Sequence, residues 1–146
     1  MKISGKHILY AAGLIALPVM MVVAPVEDTL EPSQVEAVDP TNMVTVALPK
    51  NLTEVAISGK RTFDANCASC HGANAAGQDG VAPPLVHKIY VPSHHGDSSF
   101  HRAVQQGVRA HHWSFGDMPP VEGLSQSDVD GIVTYLRELQ RHNGID

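Results

Sequence analysis

The sequence predicts an all-α domain, and three stretches of apolar spacing carry that expectation. Leu52, Val55, Ala56, Gly59 and Phe63 recur at three- and four-residue intervals and fall on one helical face. Val129, Ile132, Val133, Leu136 and Leu139 form a second such stripe near the carboxyl end. A shorter segment between them places Phe100, Ala103 and Val104 inward, with Gly107 to end it. At 146 residues the chain accommodates one ordinary domain with appendages.

The first helix begins near Asn51 and runs into the sequence's only two cysteines. Gly59 inside it costs helix stability, so it marks a close approach by another helix. Residues 72–85 form a loop punctuated by Gly72, Gly77, Gly80 and the pair Pro83-Pro84. The middle helix is capped by Asp97 or Ser98. The last starts at Ser125, where Asp128 stands in the place of the usual Glu or Gln of a capping box, and stops at Asn143-Gly144. Tyr135 borders its apolar stripe.

The amino-terminal part has a different character. Lys2, Lys6 and His7 precede an apolar run over 8–26, about 19 residues, or about 28 Å as a helix, close to the hydrocarbon core of a bilayer. Pro25 would follow the scissile bond of a signal peptide, which favours an uncleaved membrane anchor over a cleaved secretory signal. The basic residues before the run and Glu27, Asp28 and Glu31 after it orient the remainder outward, on the periplasmic side of a cell (inner) membrane. If the segment is cleaved, the protein is soluble in the periplasm. Residues 27–50, with four prolines counting Pro25 and five acidic residues, read as an extended linker. The segment 43–48 is too apolar for a free tether and is expected either to pack on the domain or to form a short strand. The domains are therefore 1–26, 27–50 and 51–146.

Cys67-Ala68-Ser69-Cys70-His71 carries the chemistry. Two thiols spaced for the vinyl groups of a porphyrin, followed by an imidazole for its iron, are the attachment sequence of a c-type haem. With no other cysteine, a four-cysteine zinc site and a disulfide framework are excluded. A thioredoxin-like dithiol would need a βαβ context that the sequence lacks. The net charge of -5, with no basic stripe, argues against a nucleic-acid partner. Aromatic content is only 5%, and a bound haem would supply the flat apolar body that such a core lacks.

The second axial position separates an electron carrier from a ligand-binding enzyme. Met118 is the only methionine after the haem motif, and Pro119-Pro120 stiffen the backbone that follows it. It is therefore the candidate second iron ligand, with core filling as the plainer use of a methionine. A proline carbonyl in the 72–85 loop is available to accept the other ring proton of His71, with simple loop punctuation as the alternative.

Taken in order, Cys67-Ala68-Ser69-Cys70-His71-Gly72, Ala82-Pro83-Pro84-Leu85, Asp117-Met118-Pro119 and Tyr135-Leu136 resemble a class I c-type cytochrome of the bacterial monohaem kind. The resemblance covers about 51–146. It implies crossing first and last helices with Phe63 and Tyr135 near the crossing, and one covalent haem c on Cys67 and Cys70. It also implies Pro83 as the acceptor for His71, Met118 as the distal ligand, and Trp113 as a partner for a haem propionate or as core. The expected function is a one-electron carrier, not an enzyme, serving membrane redox complexes, with a quinol oxidase as donor and a terminal oxidase or other acceptor. Two other classes remain open: a haem enzyme or sensor with a labile sixth ligand, and a fixed electron-entry subunit of a larger oxidoreductase.

His87, His94, His95, His101, His111 and His112 lie between the two expected iron ligands and go beyond the family pattern. Such density suits a second metal site, a pH-dependent surface or simple solvation.

Overall fold

The computed structural model describes residues 39–146; the apolar segment 1–26 and the first half of the linker, 27–38, lie outside the described residues. Four α-helices make the frame: α1 (Glu54–Asn66), α2 (Ala68–His71), α3 (Asp97–Gln106) and α4 (Gln126–His142), with short 3₁₀ turns at Ala73–Ala75 and Lys88–Tyr90. No strand occurs among the described residues, only isolated bridges such as Val108 with Met118. No helix among them is long and apolar enough to cross a membrane.

Thr53 starts α1 by accepting a hydrogen bond from Ala56 N, satisfying one of the free amides of the first turn. Its own hydroxyl and amide donate to the Glu138 carboxylate of α4 at 2.5 and 3.1 Å, so the cap also fixes where the two helices meet. Ser125 and Asp128 form the reciprocal capping box at the start of α4.

The α1–α4 crossing holds the main core. Phe63 and Tyr135 are fully buried with ring centroids 5.7 Å apart, and Ile132, Leu136 and Leu139 pack around them. Gly59 meets Gly131 at the crossing, the close approach expected for the glycine in α1. A smaller cluster of Val104, Val129 and Val133 joins α3 to the other side of α4.

The segment 43–48 packs on the domain. Met43 N and Val44 N donate to Ala76 O, Val46 lies against the main core, and Ala47 exchanges two hydrogen bonds of 2.9 Å with the Asn143 side chain.

The loops between helices are tied down from α4 by buried polar side chains. Arg137, 7% exposed, donates to Asp97 at 2.8 Å, to the carbonyls of Tyr90 and His95 at 2.6 and 2.5 Å, and to Gln140 at 2.6 Å. Gln140 in turn donates to Leu85 O at 2.8 Å. Segments 85–97 therefore sit in one place relative to the helical frame.

Candidate functional site

α1 ends where the chemistry begins. Cys67 N still bonds to Phe63 O, and the next turn, α2, carries Cys70 and His71 out of the same helical direction. Gly72 follows with φ +74° and Gly77 with φ +76°, conformations open to glycine because it has no Cβ. Gly77 N donates to His71 O at 2.7 Å, and a Cβ on Gly77 would lie 2.5 Å from Pro84 N. This tight fold brings the Pro83 carbonyl back over His71.

His71 Nδ1 donates to Pro83 O at 2.9 Å, which fixes the ring and leaves Nε2 with its lone pair. Burial holds His71 below its ordinary pKa, with the Pro83 hydrogen bond opposing that shift, so the ring is neutral and able to ligate. Cys67 is half-buried and Cys70 exposed. Burial, and then the neighbouring Cys70, push the Cys67 thiol up to about 11.

A cavity of about 730 Å³ opens beside these residues, within the size range of cofactor sites. Cys67, Cys70, His71 and Met118 all line it. The Met118 backbone is fixed by a reciprocal pair of 2.9 Å hydrogen bonds with Val108, and Gly107, φ +73°, allows the Met118 carbonyl to approach closely. Trp113 also borders the cavity. Its indole Nε1–H is buried without a hydrogen-bond partner; it lies near enough to Tyr90 to offset part of the rise that burial gives that phenol, without completing a bond.

These residues fit a haem. The cavity is mostly apolar, the two cysteines and His71 line it, and Trp113, whose buried indole N–H lacks a partner that a propionate oxygen could supply, lines it too. His71 and Met118 would hold the iron and the two cysteines the porphyrin, while the group itself would supply a one-electron couple.

The six central histidines separate into distinct settings. His101 pairs with Asp130 at 2.9 Å, and His87 accepts from Ile89 N at 3.3 Å and meets Trp113 edge-on. His94, His95, His111 and His112 gather at the cavity rim, with ring centroids of His111 and His112 4.3 Å apart. Partial desolvation, and then the imidazoles of His111, His95 and His94, hold His112 below its ordinary pKa.

Arg137 carries no sequence signal for its role, since it acts on backbone carbonyls about forty residues away. Gly107 ends α3 as its sequence position suggests, but its closeness to the Met118 carbonyl depends on where the later loop folds back. Periodicity along one helix reports neither.

Residues 56–140 match the cytochrome c family. The chain is also similar to cytochrome c-554(547) of Halothiobacillus neapolitanus, 32% identical over 97 residues that span 58% of this chain and 97% of that protein. The family match runs from the first turn of α1 into the last turn of α4, the helices that frame the cavity. With Cys67 and Cys70 in the attachment spacing, the chain belongs to the cytochrome c family and carries covalently bound haem c.

Proposed function

We propose that this cytochrome is a one-electron carrier with His71 and Met118 as axial ligands, held at the outer face of the cell membrane by its amino-terminal segment. The observation that carries the proposal is Met118 on the same cavity as Cys67, Cys70 and His71, on a backbone pinned by Val108. With both axial positions filled in either oxidation state, little rearranges on electron transfer and small molecules are kept from the metal. A thioether donates weakly, so His/Met ligation raises the potential relative to two imidazoles.

Trp113 binds a propionate through its indole N–H in this reading. Pro83 orients His71 and strengthens it as a ligand. The partners are membrane redox complexes, a quinol oxidase as donor and a terminal oxidase or other acceptor, met in brief encounters of small area. The apolar segment 8–26, flanked by lysines before and acids after, supports the membrane tether.

Optical spectra of the oxidised and reduced full-length protein in native membranes, with a redox titration, test this. A far-red absorption band in the ferric protein, lost in Met118→Ala, is expected. Absence of that band in the wild type, or its persistence in the variant, would overturn the ligation. Reaction of the reduced wild type with oxygen or peroxide as its main activity would favour an enzyme instead.

A further inference from the structure

His94, His95 and His112 each bring one nitrogen within 4.8 Å of the others, at the mouth of the haem cavity. None of the three is needed for the haem reading above. His94 and His112 are exposed and His95 is half-buried, so a cation would reach them from solvent without opening the fold.

The spacing has a specific chemical meaning. Zinc bonds imidazole at about 2.0–2.1 Å, so two ligands at a tetrahedral angle stand about 3.3–3.4 Å apart. His94 Nε2 and His112 Nε2 are 3.4 Å apart. That separation exceeds the span of about 2.7–3.2 Å usual for a hydrogen bond donated by nitrogen. The pair already stands at the edge length of a metal tetrahedron.

His95 carries the outer partner that ligating histidines commonly have. Its Nδ1 donates to Ile89 O at 2.7 Å, which selects the tautomer and leaves Nε2 as the nitrogen with a lone pair. The backbone beneath it is rigid: His95 N donates to Val91 O at 2.8 Å, and His95 O accepts from the buried Arg137 at 2.5 Å. His112 arrives from the other direction, on the loop closed by the Val108–Met118 pair and by Ala110 N donating to Asp117 at 2.8 Å. Two independently anchored loops thus present imidazoles to one point.

We infer that His94, His95 and His112 form a three-histidine site for a divalent transition cation of the zinc and copper class, with the fourth position open to water. Nitrogen-only donors select these ions over magnesium or calcium, which prefer oxygen. A bound cation would staple the loop that carries Met118 to the segment that Arg137 holds against α4.

The test uses the haem-loaded full-length protein and zinc as the probe, in equilibrium dialysis with zinc and iron counted by atomic emission. One zinc per iron is expected, with His94→Ala and His112→Ala each weakening binding about tenfold or more and His142→Ala leaving it unchanged. An unaltered visible haem spectrum shows that each variant has folded, and His112→Gln gives a second variant for the same ligand. Less than one zinc per iron, or equal affinity in wild type, His94→Ala and His112→Ala, would overturn the site. Counting metal does not depend on what binds the iron, so failure of the His/Met reading leaves this result intact.

Discussion

The Gly131 carbonyl occupies the space that a side chain on Gly59 would need, whereas a Cβ on Gly131 would meet Gly59 Cα at 3.4 Å. The two glycines of the crossing are therefore unequal. Gly59→Ala would drive α1 away from α4 and open the Phe63–Tyr135 contact, costing about 3 kcal/mol or more. Gly131→Ala gains about 1 kcal/mol of helix propensity against a tight contact and should change stability by less than half as much. Denaturant unfolding of the haem-loaded variants, followed by far-UV circular dichroism, checks the order. Equal losses at the two positions would refute the asymmetry.

Gly59 was legible in the sequence because a glycine within a helical stripe calls for a neighbour, but its partner was not. Gly131 sits among Val129, Ile132 and Val133, where it interrupts nothing. The same limit runs through the site. The cysteines and His71 are contiguous, so covalent spacing alone discloses them, and Met118 stands out by being alone. The His94–His112 approach joins residues eighteen apart across two loops, and no local pattern encodes it. Arg137 lies outside the apolar stripe of its helix, yet its guanidinium holds four acceptors. Two of its four acceptors are the backbone carbonyls of Tyr90 and His95, groups that every residue has.

Gly107 controls Met118 without touching iron. Its φ of +73° and the Met118 carbonyl packed against it leave no place for a Cβ. Gly107→Ala should break the Val108–Met118 pairing and displace Met118 from its part of the cavity. Under His/Met ligation, the ferric far-red band should fall substantially in this variant although the methionine is intact. A full-strength band would show that the loop absorbs the change.

The start of α4 has a pH signature. The Ser125 hydroxyl, and then its amide, donate to Asp128 at 2.5 and 2.9 Å and hold its carboxyl below the ordinary value. Because the folded pKa lies below the unfolded one, the linked stability is present above the unfolded value, about 3.9, and is lost as pH falls through the folded value. Ser125→Ala should lower Tm by about 4–8 °C at pH 7. The gap from wild type should stay constant between about pH 5 and 8 and narrow below about pH 4. Melting curves across that range decide it, and a gap that widens in acid would contradict the sign.

Arg137 is predicted to be irreplaceable by charge alone. Arg137→Met leaves the Tyr90 and His95 carbonyls without their donor, and about 2–4 kcal/mol should be lost. Asp97 contributes little to that loss because its side chain is 66% exposed and water can take over. Arg137→Lys keeps the charge but not the planar fork that reaches Asp97, Tyr90, His95 and Gln140 together, so it should recover less than half of the difference. The guanidinium also lies over the Phe100 ring, 5.1 Å from its centroid, and lysine would surrender that stacking. If Arg137→Lys unfolds in denaturant at the wild-type midpoint, positive charge and not fork geometry holds these loops. If it falls near Arg137→Met, the loops that carry His94, His95 and the cavity wall depend on the shape of this one side chain.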